Sequence, residues 1–207
     1  MRIVVVGTGY VGLVTAVGLA EQGHTVTCVD IDQDKVAALN RGEPPIFERG
    51  LQTLLQRNLG THLRATTDLA AAVADSELTF ICVGTPSRPD GSIDVSYVRR
   101  AAEQIGAALA AAATGFHAVV VKSTVVPGTS DQVVRPTCER ASGKRAGVDF
   151  GVGVIPSSSP KDRRSMTSSG PTASSSAATT GPWPCYVTCM PDSKVCRSCK
   201  PTPPPPR

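Results

Sequence analysis

Three glycines near the start of the chain have a spacing suited to binding phosphate groups. They stand in Gly7-Thr-Gly-Tyr-Val-Gly12, and Asp30 follows 18 positions after Gly12. In such a turn the first glycine permits a tight bend, the second lets backbone approach a pyrophosphate, and the third lets a helix pack close to a strand. A carboxylate about 20 residues later binds ribose hydroxyls. The pattern predicts a dinucleotide site that prefers NAD to NADP, because a 2′-phosphate would meet like charge at Asp30.

Glycines at this spacing also occur in ordinary turns, so the flanking elements matter. The run Ile3 to Val6 is apolar and β-branched, which is typical of a parallel strand buried on both faces. A helix is predicted over residues 13–22 and a second buried strand over 25–29, ending in Asp30. The alternative for Asp30 is a solvated acid at a strand end, but the strand, turn, helix and strand together favour the nucleotide site.

The rest of residues 1–154 continues to alternate between strand and helix patterns. Further strands are predicted over 63–65, 78–83, 118–122 and 148–154, and helices over 32–40, 51–59, 68–74, 94–113 and 129–141. Asp32 is a suitable N-cap for the second helix. Alternation of this kind predicts the α/β class with a Rossmann-type, doubly wound parallel sheet.

Three further polar residues lie where such a sheet binds its ligand. Thr85 and Thr124 follow predicted strands, and ligands bind beyond the carboxyl ends of parallel strands. Lys35 lies in the first turn of the helix after Asp30. Each has a plain alternative: Thr85-Pro86 is a good exit from a strand, Thr124 can satisfy local backbone, and Lys35 can be a solvated charge.

Charge and cysteine usage exclude several classes of function for residues 1–153. That stretch carries 14 Lys/Arg and 15 Asp/Glu, whereas residues 154–207 carry 7 and 2. It has no basic stripe with interleaved aromatic residues, so no nucleic-acid partner is expected. No apolar run approaches the roughly 18 residues that span a bilayer, and the N-terminus lacks a signal-peptide pattern. With Cys28, Cys82 and Cys138 far apart in sequence, we expect a cytoplasmic protein without a membrane partner.

Several spaced motifs resemble one enzyme family. Together they are similar to the N-terminal domain of the UDP-glucose 6-dehydrogenases, from residue 1 to about 154. The chain departs from the family at Arg49, where proline usually precedes Gly-Leu. The motifs are Gly7-Thr-Gly-Tyr-Val-Gly12-Leu-Val, Val29-Asp-Ile-Asp32 with Lys35, Pro45-Ile-Phe-Glu48 with Gly50-Leu51, Val83-Gly-Thr-Pro86 and Lys122-Ser-Thr124.

The resemblance implies NAD-dependent oxidation of the C6 alcohol of UDP-glucose to a carboxylate, through an aldehyde, by a protein that is a homodimer when intact. It assigns Asp30 and Lys35 to the adenosine end of NAD and Thr85 and Thr124 to the nicotinamide side. Thr124 would also orient an active-site water and is the one catalytic candidate; no metal ligand is implied. The pyrophosphate would be held by Gly7, Gly9, Tyr10, Val11 and Gly12.

Two other functions stay open from the sequence. One is a dehydrogenase acting on another nucleotide sugar, such as GDP-mannose. The other is a non-catalytic NAD-binding module, which would bind NAD without forming NADH from a sugar.

The groups that the resemblance assigns to covalent chemistry are missing from the chain. The family's cysteine nucleophile, with its assisting lysine and asparagine, lies beyond the matching region, and Cys28, Cys82 and Cys138 do not match that motif. The family's Asn-Pro-Glu-Phe-Leu is replaced by Ile155-Pro-Ser-Ser-Ser, which removes a catalytic glutamate. We therefore expect the chain as written to be inactive on nucleotide sugars.

Residues 155–207 differ in composition from the rest. Serine, threonine and proline dominate and hydrophobic periodicity disappears, which is typical of a disordered tail. Reverse translation with suitable synonymous codons, read one nucleotide earlier, yields Asn-Pro-Glu-Phe-Leu-Thr-Glu-Gly and then Asp-Arg-Ile-Val-Val-Gly-Gly. One offset serves the whole segment, which indicates translation out of frame. The alternative is a zinc site at Cys185, Cys189, Cys196 and Cys199, although six residues between the pairs is short for such sites.

Overall fold

The computed structural model describes residues 1–111 and 115–155, which belong to one compact unit. The predicted out-of-frame segment and its four cysteines lie outside these residues, apart from Ile155. The strands are β1 (Arg2–Val6), β2 (Thr25–Val29), β3 (Leu63–Thr66), β4 (Leu78–Ile81), β5 (His117–Val121) and β6 (Phe150–Val154). The α-helices are α1 (Tyr10–Glu21), α2 (Gln33–Asn40), α3 (Leu51–Asn58), α4 (Leu69–Ala74), α5 (Ser96–Ala111) and α6 (Arg135–Ser142).

All six strands form one parallel sheet in the order β3-β2-β1-β4-β5-β6. This is the Rossmann order, so the predicted fold class is confirmed. In the centre of the sheet Val4 pairs with Thr27 on one side and with Thr79 on the other. The central strands β1, β4 and β5 are buried over almost their whole length because helices cover both faces.

The helices divide between the two faces of the sheet. One buried cluster joins the sheet to α1, α2 and α3 through Leu13, Leu39 and Leu55. The opposite cluster includes Val73 of α4 and Ile105 of α5. Because α1 follows β1 onto one face and α5 follows β4 onto the other, the chain diverges between these neighbouring strands. In folds of this kind, such a divergence forms a crevice at the carboxyl end of the sheet, where ligands bind.

Several helices begin differently from the prediction, and α5, for example, begins at Ser96 rather than at residue 94. α1 begins at Tyr10 rather than Leu13, because Gly9 has the extended conformation of an N-cap and Gly12 is already helical. The helix predicted over 129–141 starts as a π-helical turn, Ser130–Val134, before α6. Pro136 has no N–H to donate to the carbonyl of Gln132, which disfavours an α-helical start there.

A helix that spans a membrane must be long and apolar, a requirement that applies to every helix of the described part of the chain. None of its helices is both long enough and apolar enough to cross a bilayer.

Candidate functional site

The glycine turn after β1 is wedged between the ends of two neighbouring strands. Gly7 has a φ of 97°, and its N–H donates to the carbonyl of Val29 at 2.8 Å. A Cβ atom on Gly7 would lie 2.7 Å from the carbonyl oxygen of Cys82, just after β4. Both the backbone conformation and the space at Gly7 therefore require glycine.

The other two glycines of the turn face different surroundings. A Cβ atom on Gly12 would lie 1.8 Å from the carbonyl oxygen of Gly7, so α1 can approach the turn only without a side chain there. A Cβ atom on Gly9 would have no heavy atom within 4 Å. Backbone atoms therefore pack against the turn at Gly7 and Gly12, whereas Gly9 has free space beside it.

The N-terminus of α1 lies at the open side of this turn. Its N-cap is Gly9, which offers no capping side chain, and its first turn contains no acidic residue. Tyr10 and Val11 are 56% and 37% exposed. The first N–H groups of a helix have no partner within the helix and carry partial positive charge, so this end is suited to receive an anion such as a pyrophosphate.

Asp30 lies directly after β2 and is held by the glycine turn. Its Oδ2 accepts hydrogen bonds from the N–H and the Oγ1 of Thr8, at 2.8 and 2.5 Å, and its Oδ1 accepts from the N–H of Asp32 at 3.1 Å. Burial is the largest single influence on the pKa of Asp30 and raises it. The hydrogen bonds from Thr8 and Asp32, with the charge of Lys35, outweigh burial and leave the pKa below its ordinary value of 3.8. The carboxylate is therefore ionised at neutral pH.

Lys35 lies in the first turn of α2 and is exposed. Its Nζ is 3.7 Å from Oδ2 of Asp32, whose Oδ1 caps the helix by accepting from the N–H groups of Asp34 and Lys35. Asp32 is thus the N-cap that the sequence predicts. The ammonium group lies close enough to Asp30 to lower its pKa, which places a positive charge on this side of the site.

The loop between α2 and α3 contacts the start of α1. The hydroxyl of Tyr10 donates to Oε2 of Glu48 at 2.7 Å. This hydrogen bond and the negative charge of Glu48 raise the pKa of Tyr10. Arg49, the departure from the family pattern, follows Glu48 and lines a shallow hollow formed by residues 43–50, Gln52 and Thr53.

Hydroxyl groups link the ends of β4 and β5. The Oγ1 of Thr85 donates to the carbonyl of Thr124 at 2.8 Å, and the Oγ of Ser123 donates to the carbonyl of Val83 at 2.7 Å. Ser123 is buried, Thr85 is half-buried and Thr124 is exposed. The two threonines singled out in the sequence therefore lie side by side at the carboxyl end of the sheet.

The three cysteines of the described region are unsuited to nucleophilic chemistry. Cys28, Cys82 and Cys138 are all buried and none forms a disulfide. Burial raises the pKa of each thiol to about 12. A thiol attacks carbon as its thiolate, so these side chains are inert at neutral pH. Within residues 1–111 and 115–155, no cluster of three His, Cys, Asp or Glu side chains could hold a metal ion.

The sheet topology collects the predicted site residues along one edge. The glycine turn follows β1, Asp30 follows β2, Thr85 follows β4 and Thr124 follows β5, and these four strands are neighbours. Lys35 lies in the first turn of α2, the helix that follows Asp30. Sequence analysis did not single out Thr8 or Ser123. The available signal was a hydroxyl residue inside the glycine turn in one case and beside Thr124 in the other.

Residues 1–160 match the UDP-glucose/GDP-mannose dehydrogenase family, NAD binding domain. The chain belongs to this family. Its glycine turn, strand order and post-β2 carboxylate are the features of a dinucleotide site, and the cofactor of the domain is NAD, as predicted.

Relatives with two different substrates match at similar identity. GDP-mannose 6-dehydrogenase from Pseudomonas aeruginosa is 48% identical over 157 residues, covering 75% of this chain and 36% of the relative. UDP-glucose 6-dehydrogenase from Rhizobium meliloti is 51% identical over 137 residues, covering 65% and 30%. The chain therefore spans about a third of the length of these relatives. The comparisons do not single out UDP-glucose, the substrate that the sequence motifs predicted.

Solved structures of a GDP-mannose dehydrogenase and of a UDP-glucose dehydrogenase are also similar to this chain. A ternary complex of GDP-mannose dehydrogenase from Pseudomonas aeruginosa matches with a TM-score of 0.73 and 48% identity, over 75% of this chain and 36% of that one. A UDP-glucose dehydrogenase from Pyrobaculum islandicum matches with a TM-score of 0.70 and 42% identity, over 74% and 35%. The similarity is confined to about the first three quarters of this chain.

Proposed function

We propose that the crevice between β1 and β4 binds NAD in the orientation that the glycine turn and Asp30 define. The adenosine ribose lies against Asp30, with Lys35 beside it. The pyrophosphate lies over Gly9 at the N-terminus of α1, where Gly7, Tyr10, Val11 and Gly12 shape the turn. The nicotinamide extends towards Thr85 and Thr124, and Thr124 also orients the water that the reaction consumes.

The observation that carries this proposal is the ionised, immobilised carboxylate of Asp30 beside an uncapped helix N-terminus. The helix end attracts the pyrophosphate, whereas the carboxylate accepts a hydrogen bond from a ribose hydroxyl and repels a 2′-phosphate. Open space at Gly9 supports close approach of a phosphate to backbone. These features favour NAD over NADP by position as well as by charge.

Calorimetric titration of the chain with NAD and with NADP tests the proposal. We expect tighter binding of NAD, and a loss of about tenfold in NAD affinity for Asp30→Asn, which keeps the shape of the side chain but removes its charge. Asp34→Asn is the matched control, because Asp34 is an exposed acid in the first turn of α2 and its N–H, not its carboxylate, bonds to Asp32. Equal affinity for NAD and NADP, or equal losses in the two variants, would contradict the assignment.

For the substrate, we propose GDP-mannose, with UDP-glucose as the second candidate. The GDP-mannose 6-dehydrogenases of several Pseudomonas species are 46–48% identical over 157 residues. The Rhizobium UDP-glucose enzyme supports the second candidate with higher identity over a shorter stretch, 137 residues. Oxidation of the C6 alcohol would pass hydride to NAD bound as proposed above.

We also propose that residues 155–207 are translated out of frame, so that the cofactor domain is followed by a segment without the family's catalytic glutamate. The family match stops at residue 160, near the change in composition. The shifted frame supplies the Asn-Pro-Glu-Phe-Leu motif at the position where it is missing. A non-catalytic NAD-binding role would fit the chain as written equally, since it requires only residues 1–155.

A further inference from the structure

Thr8 makes an unusual pair of contacts for a residue inside a glycine turn. It is 1% exposed, and both its N–H and its Oγ1 donate to the same oxygen, Oδ2 of Asp30. The contact spans 22 residues of sequence and ties the turn after β1 to the end of β2. Any residue type except proline could provide the N–H donor at position 8, whereas the second bond comes from the hydroxyl of the threonine side chain.

The contacts of Thr8 determine which part of Asp30 remains available. A carboxylate has about four acceptor positions, two on each oxygen. Thr8 fills both positions on Oδ2, and the N–H of Asp32 fills one on Oδ1. The remaining acceptor position is on Oδ1, so the carboxylate presents one defined oxygen to a ligand.

We propose that Thr8 is a positioning residue for cofactor choice, whose hydroxyl holds the Asp30 carboxylate in the orientation that accepts an adenosine ribose hydroxyl and repels a 2′-phosphate. This inference rests on the proposed NAD site. Without the Thr8 hydroxyl, one charge-assisted bond is lost and the carboxylate can rotate away from the ribose. NAD then loses an acceptor, while NADP meets less repulsion. The ratio of NAD to NADP affinity therefore falls in a protein that still folds.

A second buried threonine provides a matched control. Thr15 lies on α1, is 7% exposed, and its Oγ1 donates to the carbonyl of Val11 at 2.6 Å. Its hydroxyl therefore bonds within α1, whereas the hydrogen bonds of Asp30 come from Thr8 and Asp32. Thr15→Val removes a buried hydroxyl seven residues further along the chain, with the same change of shape as Thr8→Val.

The test is calorimetric titration of the chain and its variants with NAD and NADP, with thermal unfolding recorded for each. In Thr8→Val we expect NAD affinity to fall about tenfold and the ratio of NAD to NADP affinity to fall with it. Thr8→Ser keeps the hydroxyl and should restore the ratio, and Thr15→Val should leave it unchanged. Thr8→Ala serves the same purpose as Thr8→Val if valine does not fit the turn.

The pH dependence of NAD binding provides a second measurement, which would not change if Thr8 only stabilised the fold. The hydroxyl bond from Thr8 lowers the pKa of Asp30, so its loss raises that pKa. As the pH falls, Asp30 of Thr8→Val is therefore protonated earlier, and NAD binding should weaken at a higher pH than in the unaltered chain. A folded Thr8→Val or Thr8→Ala protein with an unchanged affinity ratio would overturn the role of Thr8. An unaltered chain that does not prefer NAD would instead contradict the proposed cofactor site.

Discussion

Gly9 and Gly12 stand three residues apart, yet they are glycines for different reasons. Gly12 has the carbonyl of Gly7 where its Cβ would be, so its lack of a side chain serves packing. Gly9 has an ordinary φ of −70° and open space, so neither conformation nor packing in the protein demands glycine. What demands it, in our proposal, is the pyrophosphate.

Alanine substitution separates these two roles. Gly9→Ala should leave the free energy of unfolding within about 1 kcal/mol of the unaltered chain, because only N-cap preference changes, yet weaken NAD binding by about tenfold or more. Gly12→Ala should destabilise the fold by about 2 kcal/mol or more, because backbone must move. Urea unfolding and NAD titration of both variants provide the measurements. Unchanged NAD affinity in Gly9→Ala would show that the cofactor does not approach this residue.

Between elements, a buried histidine links β5 to β4. The Nδ1 of His117 lies 3.0 Å from the carbonyl of Ser76, and its Nε2 lies 2.9 Å from the Oγ1 of Thr79. Since a carbonyl only accepts, Nδ1 carries the proton and Nε2 accepts from the threonine. Burial lowers the pKa of His117 below its ordinary value of 6.5; the bond to Ser76 opposes this shift and Lys144 adds to it.

The depressed pKa of His117 predicts a dependence of stability on pH. The unfolded chain binds a proton at His117 at a higher pH than the folded chain does, so its contribution is complete well above pH 6.5 and declines as pH falls below that value. His24, whose pKa burial also lowers, acts in the same direction. Urea unfolding between about pH 7.5 and 5.5 measures the slope. His117→Gln should flatten it without abolishing it, and an identical slope in that variant would contradict the argument.

At the scale of the molecule, the strand order brings the residues of the proposed cofactor site together. Neighbouring strands β2, β1, β4 and β5 present Asp30, the glycine turn, Thr85 and Thr124 at one edge of the sheet. The described thiols are buried and protonated. Chemistry on a sugar needs groups that residues 1–155 do not provide.

Correction of the reading frame should therefore change the activity of the protein. The coding DNA around codon 155 is resequenced, and both the chain as written and the frame-corrected chain are assayed for NADH absorbance with GDP-mannose and UDP-glucose. We expect no sugar-dependent NADH from the chain as written. We expect turnover from the corrected chain with a higher kcat/KM for GDP-mannose, and the reverse preference would favour UDP-glucose.

Two outcomes would contradict the out-of-frame proposal. One is sugar-dependent NADH formation by the chain as written that is lost in Thr124→Ala. The other is one zinc ion per chain that survives dialysis and depends on Cys185 and Cys199, which would favour the zinc-site alternative instead.

Local patterns determined the fold class, the order of the strands and helices, and the cofactor. Buried parallel strands are short, apolar and β-branched, so β2 was predicted over its full length, Thr25–Val29. The glycine spacing and Asp30 predicted NAD because their roles depend on backbone and charge close together in sequence. The family resemblance was also visible in the motifs, whereas the substrate was not, because this domain holds the part that GDP-mannose and UDP-glucose enzymes share.

Only the tertiary structure showed which of these residues depend on one another. The glycine pattern sets no requirement on Thr8, and only the pairing of β2 with β1 brings its hydroxyl to Asp30. Thr85 and Thr124 are 39 residues apart, and they meet because β4 and β5 are neighbours in the sheet. Hydrogen bonds of this kind depend on strand order and register, which arise from packing across the whole domain rather than from any local pattern.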